Sequence, residues 1–231
     1  MPQRVAVGKQ FFARAWKGRS MPILAVVNQK GGTGKTTVAT NLATLFAGQQ
    51  GEVLLVDADP QQSALEWQSD RPAHLPQVSV IGLPAPNLHR EIPRLQTKYQ
   101  IILIDGGGRV TATARATVAV ADFLLVPTLA SLPDARSTQR FFQEVVEEVA
   151  AIKGRVSGAM LFTMVKTGTV FNVSGQGQIK DLGYPVLETT LSHRITYQEA
   201  FAQGMGVGEY DPRSKAAEEM QALFRELQEA L

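Results

Sequence analysis

Apolar residues arrive in short dense runs, each followed by a longer stretch in which they recur every three to four positions. Ile23–Asn28, Val53–Asp57, Ile101–Asp105, Phe123–Pro127, Gly158–Phe162 and Val186–Leu191 read as strands, with a weaker one at Val78–Gly82. The longer spacing predicts helices over Lys35–Ala47, Ser63–Ser69, Asn87–Lys98, Thr111–Val120, Ala135–Ile152, Asn172–Leu182, Thr196–Gln203 and Arg213–Leu231. The strand runs are apolar nearly throughout, as in strands buried on both faces. Strands alternating with helices in this way predict an α/β fold: one mostly parallel, twisted sheet with helices on both faces. With 231 residues and no repeat, low-complexity segment or long linker, residues 21–231 read as a single domain.

The first strand breaks into Lys30-Gly31-Gly32-Thr33-Gly34-Lys35-Thr36-Thr37. Glycines let a chain curl until successive amides point into one concavity, and the helix starting near Lys35 adds the positive end of its dipole. That is the loop of a P-loop NTPase, with Lys35 placed to reach the β/γ-phosphates and the Thr36 hydroxyl to bind Mg²⁺. Two more strand ends carry carboxylates. Val53–Val56 leads into Asp57-Ala58-Asp59-Pro60-Gln61, where Pro60 stops the ladder, and Ile101–Ile104 leads into Asp105. Carboxylates at such tips hold Mg²⁺, directly or through water, or orient an attacking water. Gly106, Gly107 and Gly108 follow Asp105 and suggest a switch loop that approaches the terminal phosphate through its backbone; Arg109 comes next.

The chain has no cysteine, which removes disulfides and thiolate metal sites and fits a reducing compartment. No apolar stretch approaches the ~18 residues of a membrane span. Residues 1–20 hold Arg4, Lys9, Arg14, Lys17 and Arg19 and no acid, so the net charge of +2 leaves −3 for the remainder. This basic segment reads equally as a DNA-attracting arm or as a poorly ordered extension ahead of an alternative start at Met21. In the last helix Met220, Leu223, Phe224 and Leu227 share a face, opposite Glu218, Glu219, Glu226 and Glu229. That polar face has the wrong sign for anionic lipid, so the helix is expected to pack on the core and not to anchor a membrane.

The loop departs from the usual P-loop pattern, because Gln29 stands where the first glycine belongs and Lys30 follows it. KGGTGKTT resembles the deviant Walker A box of the ParA/MinD family of ATPases, and the resemblance covers roughly residues 21–231. Asp57-Ala58-Asp59-Pro60-Gln61 looks like the family's D-x-D-P-Q box. Pro127–Asp134 resembles its proline segment near interface and nucleotide, and Tyr210–Ala217 its lead-in to the last helix. Larger members read Asp-x-Pro-Pro where this chain has Asp105-Gly106-Gly107-Gly108. That is closer to the short plasmid-partition ATPases typified by ParF, which carry a tryptophan where Trp67 falls.

The resemblance implies ATP and Mg²⁺ as cofactors and a homodimer formed on ATP. Its catalytic residues are Lys30, Lys35, Asp59 and Asp105, with Lys30 reaching the partner's nucleotide and Asp59 acting as the hydrolytic carboxylate. Lys30, Gly31, Gly32, Thr33, Gly34, Lys35, Thr36, Thr37 and Met164 would contact nucleotide, although a methionine at 164 is equally good core filler. Thr36, Asp57, Asp59 and Asp105 would surround the metal. The absence of an Asn-Lys-x-Asp motif favours ATP over GTP. Leu191–Ala200 resembles a segment whose basic residues bind DNA without sequence preference. Candidates are Lys166, His193, Arg194, Arg213 and Lys215, and the resemblance makes Arg194 and Lys215 the expected DNA-binding pair. The implied function is that of a prokaryotic, cytoplasmic, nucleoid-associated partition ATPase, which segregates plasmid or chromosome DNA. Its slow hydrolysis is stimulated by a ParB-like or ribbon–helix–helix adaptor. The alternatives are a ParA-like positioner of protein cargo and a MinD-like membrane-associated ATPase.

Overall fold

The computed structural model describes residues 5–6, 22–49, 51–154, 156–166 and 184–230. Its strands are β1 (Val5–Ala6), β2 (Ile23–Val26), β3 (Val53–Asp57), β4 (Ser79–Gly82), β5 (Ile101–Asp105), β6 (Phe123–Leu129), β7 (Val156–Val165) and β8 (Val186–Ser192). All pair in parallel in the order β1-β7-β6-β2-β5-β3-β4, and β8 pairs with Met160–Val165 of β7. The helices are α1 (Lys35–Gly48), α2 (Ser63–Ser69), α3 (Leu88–Leu95), α4 (Ala112–Val120), α5 (Leu132–Phe141), α6 (Glu147–Lys153), α7 (Ile195–Phe201), α8 (Val207–Tyr210) and α9 (Lys215–Ala230).

Successive strand residues point to opposite faces, which sorts the core into two layers. Leu24, Val26, Leu55 and Leu103 pack on one face with Val38 and Leu42 of α1 and Met220, Leu223, Phe224 and Leu227 of α9. Ile23, Ala25, Leu54 and Ile104 pack on the other with Ile92 of α3, Val118 of α4 and Phe141 of α5. The parallel sheet with helices on both faces is therefore as expected. The apolar face of α9 is taken up by the core, and no described helix is long and apolar enough to cross a membrane. Two of the acids on its other face do structural work. Glu226 accepts the Glu188 and Thr189 N–H groups at 2.7 and 2.9 Å, and Glu219 accepts that of Ser192 at 3.0 Å. They satisfy part of β8, whose second edge has no strand partner among the described residues.

Several boundaries move for identifiable reasons. Strand β6 runs through Pro127 to Leu129, because its pairing with β2 ends at Leu125 and the missing N–H is not needed beyond that point. Thr111 lies outside α4 as its N-cap, accepting the Ala114 N–H. The helix expected over Ala135–Ile152 begins at Leu132 and is interrupted by a π-helical turn at Phe142–Val146. The short α8 was not legible. The helix expected over Asn172–Leu182 lies outside the described residues, as does the basic segment 1–20 apart from Val5–Ala6. Trp67 is fully buried: its indole N–H reaches the Met205 carbonyl at 3.3 Å and Arg71 stacks over its ring.

Candidate functional site

The carboxyl ends of β2, β3 and β5 meet around the loop 30–37. Gly32 and Gly34 adopt left-handed backbone (φ 73° and 83°), and Gly34 is the N-cap of α1. Such φ values let the loop reverse and direct its amides inward, which a side chain would disfavour. A Cβ built at Gly32 or Gly34 meets no atom within 4 Å, so it is the backbone conformation and not crowding that calls for glycine there. Lys35 is buried, and its ammonium donates to the Lys30 carbonyl at 3.1 Å. Burial lowers its pKa, against the opposing pull of Asp105 and Asp59. Thr36 and Thr37 are half-buried on the first turn of α1.

The three aspartates have separate environments. Asp57 and Asp105 are paired in register on neighbouring strands, and both are buried. The Asp57 carboxylate is occupied: it accepts N–H groups from Asp59 (3.1 Å), Ala64 (2.8 Å) and Leu65 (3.3 Å), tying down the start of α2. This anchoring task is not legible in the residues around Asp57. Asp59 is half-exposed and accepts the Gln61 N–H at 3.0 Å. Neither Asp105 oxygen has a hydrogen-bond partner in good geometry. Burial pushes the Asp105 carboxyl up to about 7, although the nearby Thr36 hydroxyl and Lys35 ammonium pull it down.

A buried carboxylate without partners carries a desolvation cost that a cation would remove. The glycine loop, Lys35, the Thr36 hydroxyl and the orphaned Asp105 oxygens thus fit a nucleotide phosphate chain with a divalent cation. Hard oxygen donors are what Mg²⁺ takes.

Three consecutive residues clasp this loop to α5. The Asn28 side-chain amide donates to the Pro127 carbonyl (2.7 Å) and the Thr138 hydroxyl (3.0 Å), and that of Gln29 donates to the Ser137 carbonyl (2.7 Å). Lys30 forms an ion pair with Asp134, which also takes the Ser131 hydroxyl. Asp134 had not been singled out. Its spacing three residues after Ser131 at a helix start is the only local signal.

On the other side of the loop lies a pocket lined by Gly34, Thr37, Met164, Leu191, His193 and Tyr197, among others. Met164 faces it with 42% exposure and a left-handed backbone (φ 52°), where β7 and β8 slip out of register. The neighbouring Thr163 hydroxyl donates to the Thr33 carbonyl at 2.9 Å, fastening this wall to the loop. Arg194 also lines the pocket. Its Nε and Nη2 both donate to Glu219, at 3.1 and 2.7 Å. Lys215 pairs with Glu218 at 2.7 Å. Both basic candidates therefore stand beside the start of α9, each next to a carboxylate.

Residues 24–207 match the CobQ/CobB/MinD/ParA nucleotide binding domain. Two similar proteins are both named maintenance of carboxysome distribution protein A. That of Halothiobacillus neapolitanus is 29% identical, covering 88% of this chain and 95% of its own. That of Gloeobacter kilaueensis is 31% identical, covering 90% and 93%. The sporulation initiation inhibitor protein Soj of Bacillus subtilis is 25% identical over 89% and 97%. Among solved structures, the ATP complex of a point variant of Cyanothece McdA superposes with a TM-score of 0.73 at 20% identity, covering 92% of this chain and 97% of that one. The Mg-ADP complex of MinD from Pyrococcus horikoshii gives 0.72 at 20% identity, covering 90% and 96%. With the family domain spanning most of the sheet and the whole phosphate cradle, the chain belongs to the CobQ/CobB/MinD/ParA nucleotide-binding family, whose ParA/MinD members are P-loop ATPases that bind ATP with Mg²⁺.

Proposed function

We propose that this chain is an ATP-operated positioning switch that pairs on ATP and comes apart on hydrolysis. The observation that carries the reading is the second loop cation. Lys35 already serves the phosphates from within the cradle, whereas Lys30 is exposed at its mouth and held there by Asp134. A cation in that place is available to the nucleotide of a second subunit, which makes ATP part of the interface and adds positive charge where phosphoryl transfer develops negative charge. Thr36, Asp59 and Asp105 would hold Mg²⁺, which neutralises phosphate charge when bound. Asp59, half-exposed at the rim, orients the attacking water. Met164 and the pocket it faces take the adenine. Hydrolysis is slow until a partner protein stimulates it.

The paired state binds DNA without sequence preference through Arg194 and Lys215, giving weak, salt-sensitive attachment. A large cargo then follows the bound ATPase. Both carboxysome-distribution relatives support a protein body as cargo. The likeness to Soj supports a second reading, in which the cargo is plasmid or chromosome DNA recruited by a ParB-like or ribbon–helix–helix adaptor. Light scattering of the chain with ATP, with ADP and without nucleotide tests the switch: a dimer specific to ATP is expected. A chain that binds ATP and stays monomeric at all concentrations refutes it.

A further inference from the structure

Between Asp105 and α4 the chain reads Gly106-Gly107-Gly108-Arg109-Val110-Thr111. The glycines are places of close approach. A Cβ at Gly106 would stand 2.7 Å from Val27 Cγ1, and one at Gly107 3.7 Å from Asp59 Oδ2. One at Gly108 would stand 3.4 Å from the Gly31 backbone and 3.5 Å from Lys35 Nζ. The backbone thus leaves β5, passes the Asp59 carboxylate and lies against the phosphate loop. No side chain emerges along the way, and the first to do so is an arginine. Beyond it the loop is fixed again: Val110 packs on the core, and the Thr111 hydroxyl accepts the Ala114 N–H at 3.1 Å.

With consecutive Cα atoms about 3.8 Å apart, Arg109 begins at the rim of the cradle next to the position held by Lys35 Nζ. It is exposed and makes no hydrogen bond or ion pair among the described residues. The cradle is also short of positive charge. Asp59 and Asp105 both act on Lys35, and the other loop cation, Lys30, is paired with Asp134. A triphosphate brings several further negative charges to the same place.

We propose that Arg109 is a catalytic residue whose guanidinium contacts the terminal phosphate of ATP bound in its own subunit; this rests on the ATPase reading above. In the step it assists, the oxygen of water bonds to the terminal phosphorus as the bond to the bridging oxygen breaks. The electron pair of that bond leaves with ADP, and the proton released by water passes by way of Asp59 to inorganic phosphate. The planar guanidinium presents two parallel donors to phosphate oxygens. Its contact strengthens as charge spreads over those oxygens in the transition state.

The experiment compares Arg109→Ala and Arg109→Lys with the unchanged chain in single-turnover hydrolysis of ATP, equilibrium binding of ATP, and binding of ADP with fluoroaluminate. Arg109→Ala is expected to slow hydrolysis by about tenfold or more, to hold ATP with affinity within about threefold, and to lose the fluoroaluminate complex. Arg109→Lys restores part of the rate. Unimpaired hydrolysis by Arg109→Ala beside an active unchanged chain overturns the proposal alone. So does a variant whose rate falls only as far as its ATP affinity. An unchanged chain that binds no ATP overturns the ATPase reading itself, and this proposal with it.

Discussion

Asp57 and Asp105 stand opposite each other on adjacent parallel strands, one accepting three backbone N–H groups and the other accepting none. The first anchors the start of α2, and the second is a buried carboxyl without that compensation. Burial raises the Asp105 carboxyl to about 7, so the folded chain retains a proton that the unfolded chain releases near pH 4. The contribution of Asp105 to stability therefore falls as pH rises from about 4 to about 7 and levels off above that. In buffer free of nucleotide and metal, Asp105→Asn is expected to unfold at a higher temperature than the unchanged chain at pH 8. The gain is on the order of 2–4 kcal/mol and disappears near pH 4. Adding ATP with Mg²⁺ should reverse the ranking. Parallel melting curves at every pH would show that Asp105 carries no such cost.

The neighbouring carboxylates should separate stability from turnover. Asp57→Ala strips the accepting group from the start of α2 and is expected to cost about 2–3 kcal/mol in chemical denaturation. Asp59→Ala removes a half-exposed side chain with one local hydrogen bond and should shift stability by less than about 1 kcal/mol. Its effect belongs to hydrolysis: the ATP-bound dimer should persist while phosphate release stops. Normal turnover by Asp59→Ala would take Asp59 out of the reaction.

Lys30 and Asp134 make a pair that must open before the lysine can serve a second subunit. Lys30→Ala is expected to keep ATP binding and lose ATP-dependent pairing. Asp134→Asn keeps the helix start but releases the lysine, and should pair at several-fold lower protein concentration. Sedimentation over a concentration series reads both. Should Asp134→Asn pair no more readily than the unchanged chain, the ion pair does not restrain Lys30.

Strand positions, the glycine loop and the carboxylates at strand tips were legible because each is written in adjacent residues. Two faces of apolar packing need strands with no polar break, and a phosphate cradle needs glycines beside lysine and threonine. What was hidden depends on residues far apart in the chain. Nothing near Lys30 announces Asp134, and nothing near Arg194 announces Glu219. The anchoring role of Asp57 depends on α2 folding back so that Ala64 and Leu65 present their amides to it. The strand expected over Phe123–Pro127 continues to Leu129. Its proline is tolerated because it sits where the neighbouring strand has already ended.

Arg194 spends two of its nitrogens on Glu219. Burial pushes the Glu219 carboxyl up, but hydrogen bonds from Arg194 and Ser192 outweigh it and hold the group below its usual range. The carboxylate is therefore ionised at neutral pH and offsets much of the charge that Arg194 offers a phosphate. Its stabilising contribution is present above the unfolded value and is lost as pH falls through the lower folded one. Arg194→Glu should weaken retention of arbitrary duplex DNA by the ATP-bound protein. Glu219→Gln keeps groups able to bond Ser192 but removes the competing charge, so it should strengthen retention and steepen the dependence on salt by about one unit in the log–log slope. Filter retention between about 50 and 200 mM salt reads both effects. If neither substitution changes retention at the lower salt, Arg194 does not meet DNA phosphate, and the attachment to DNA has to run through other residues or be absent.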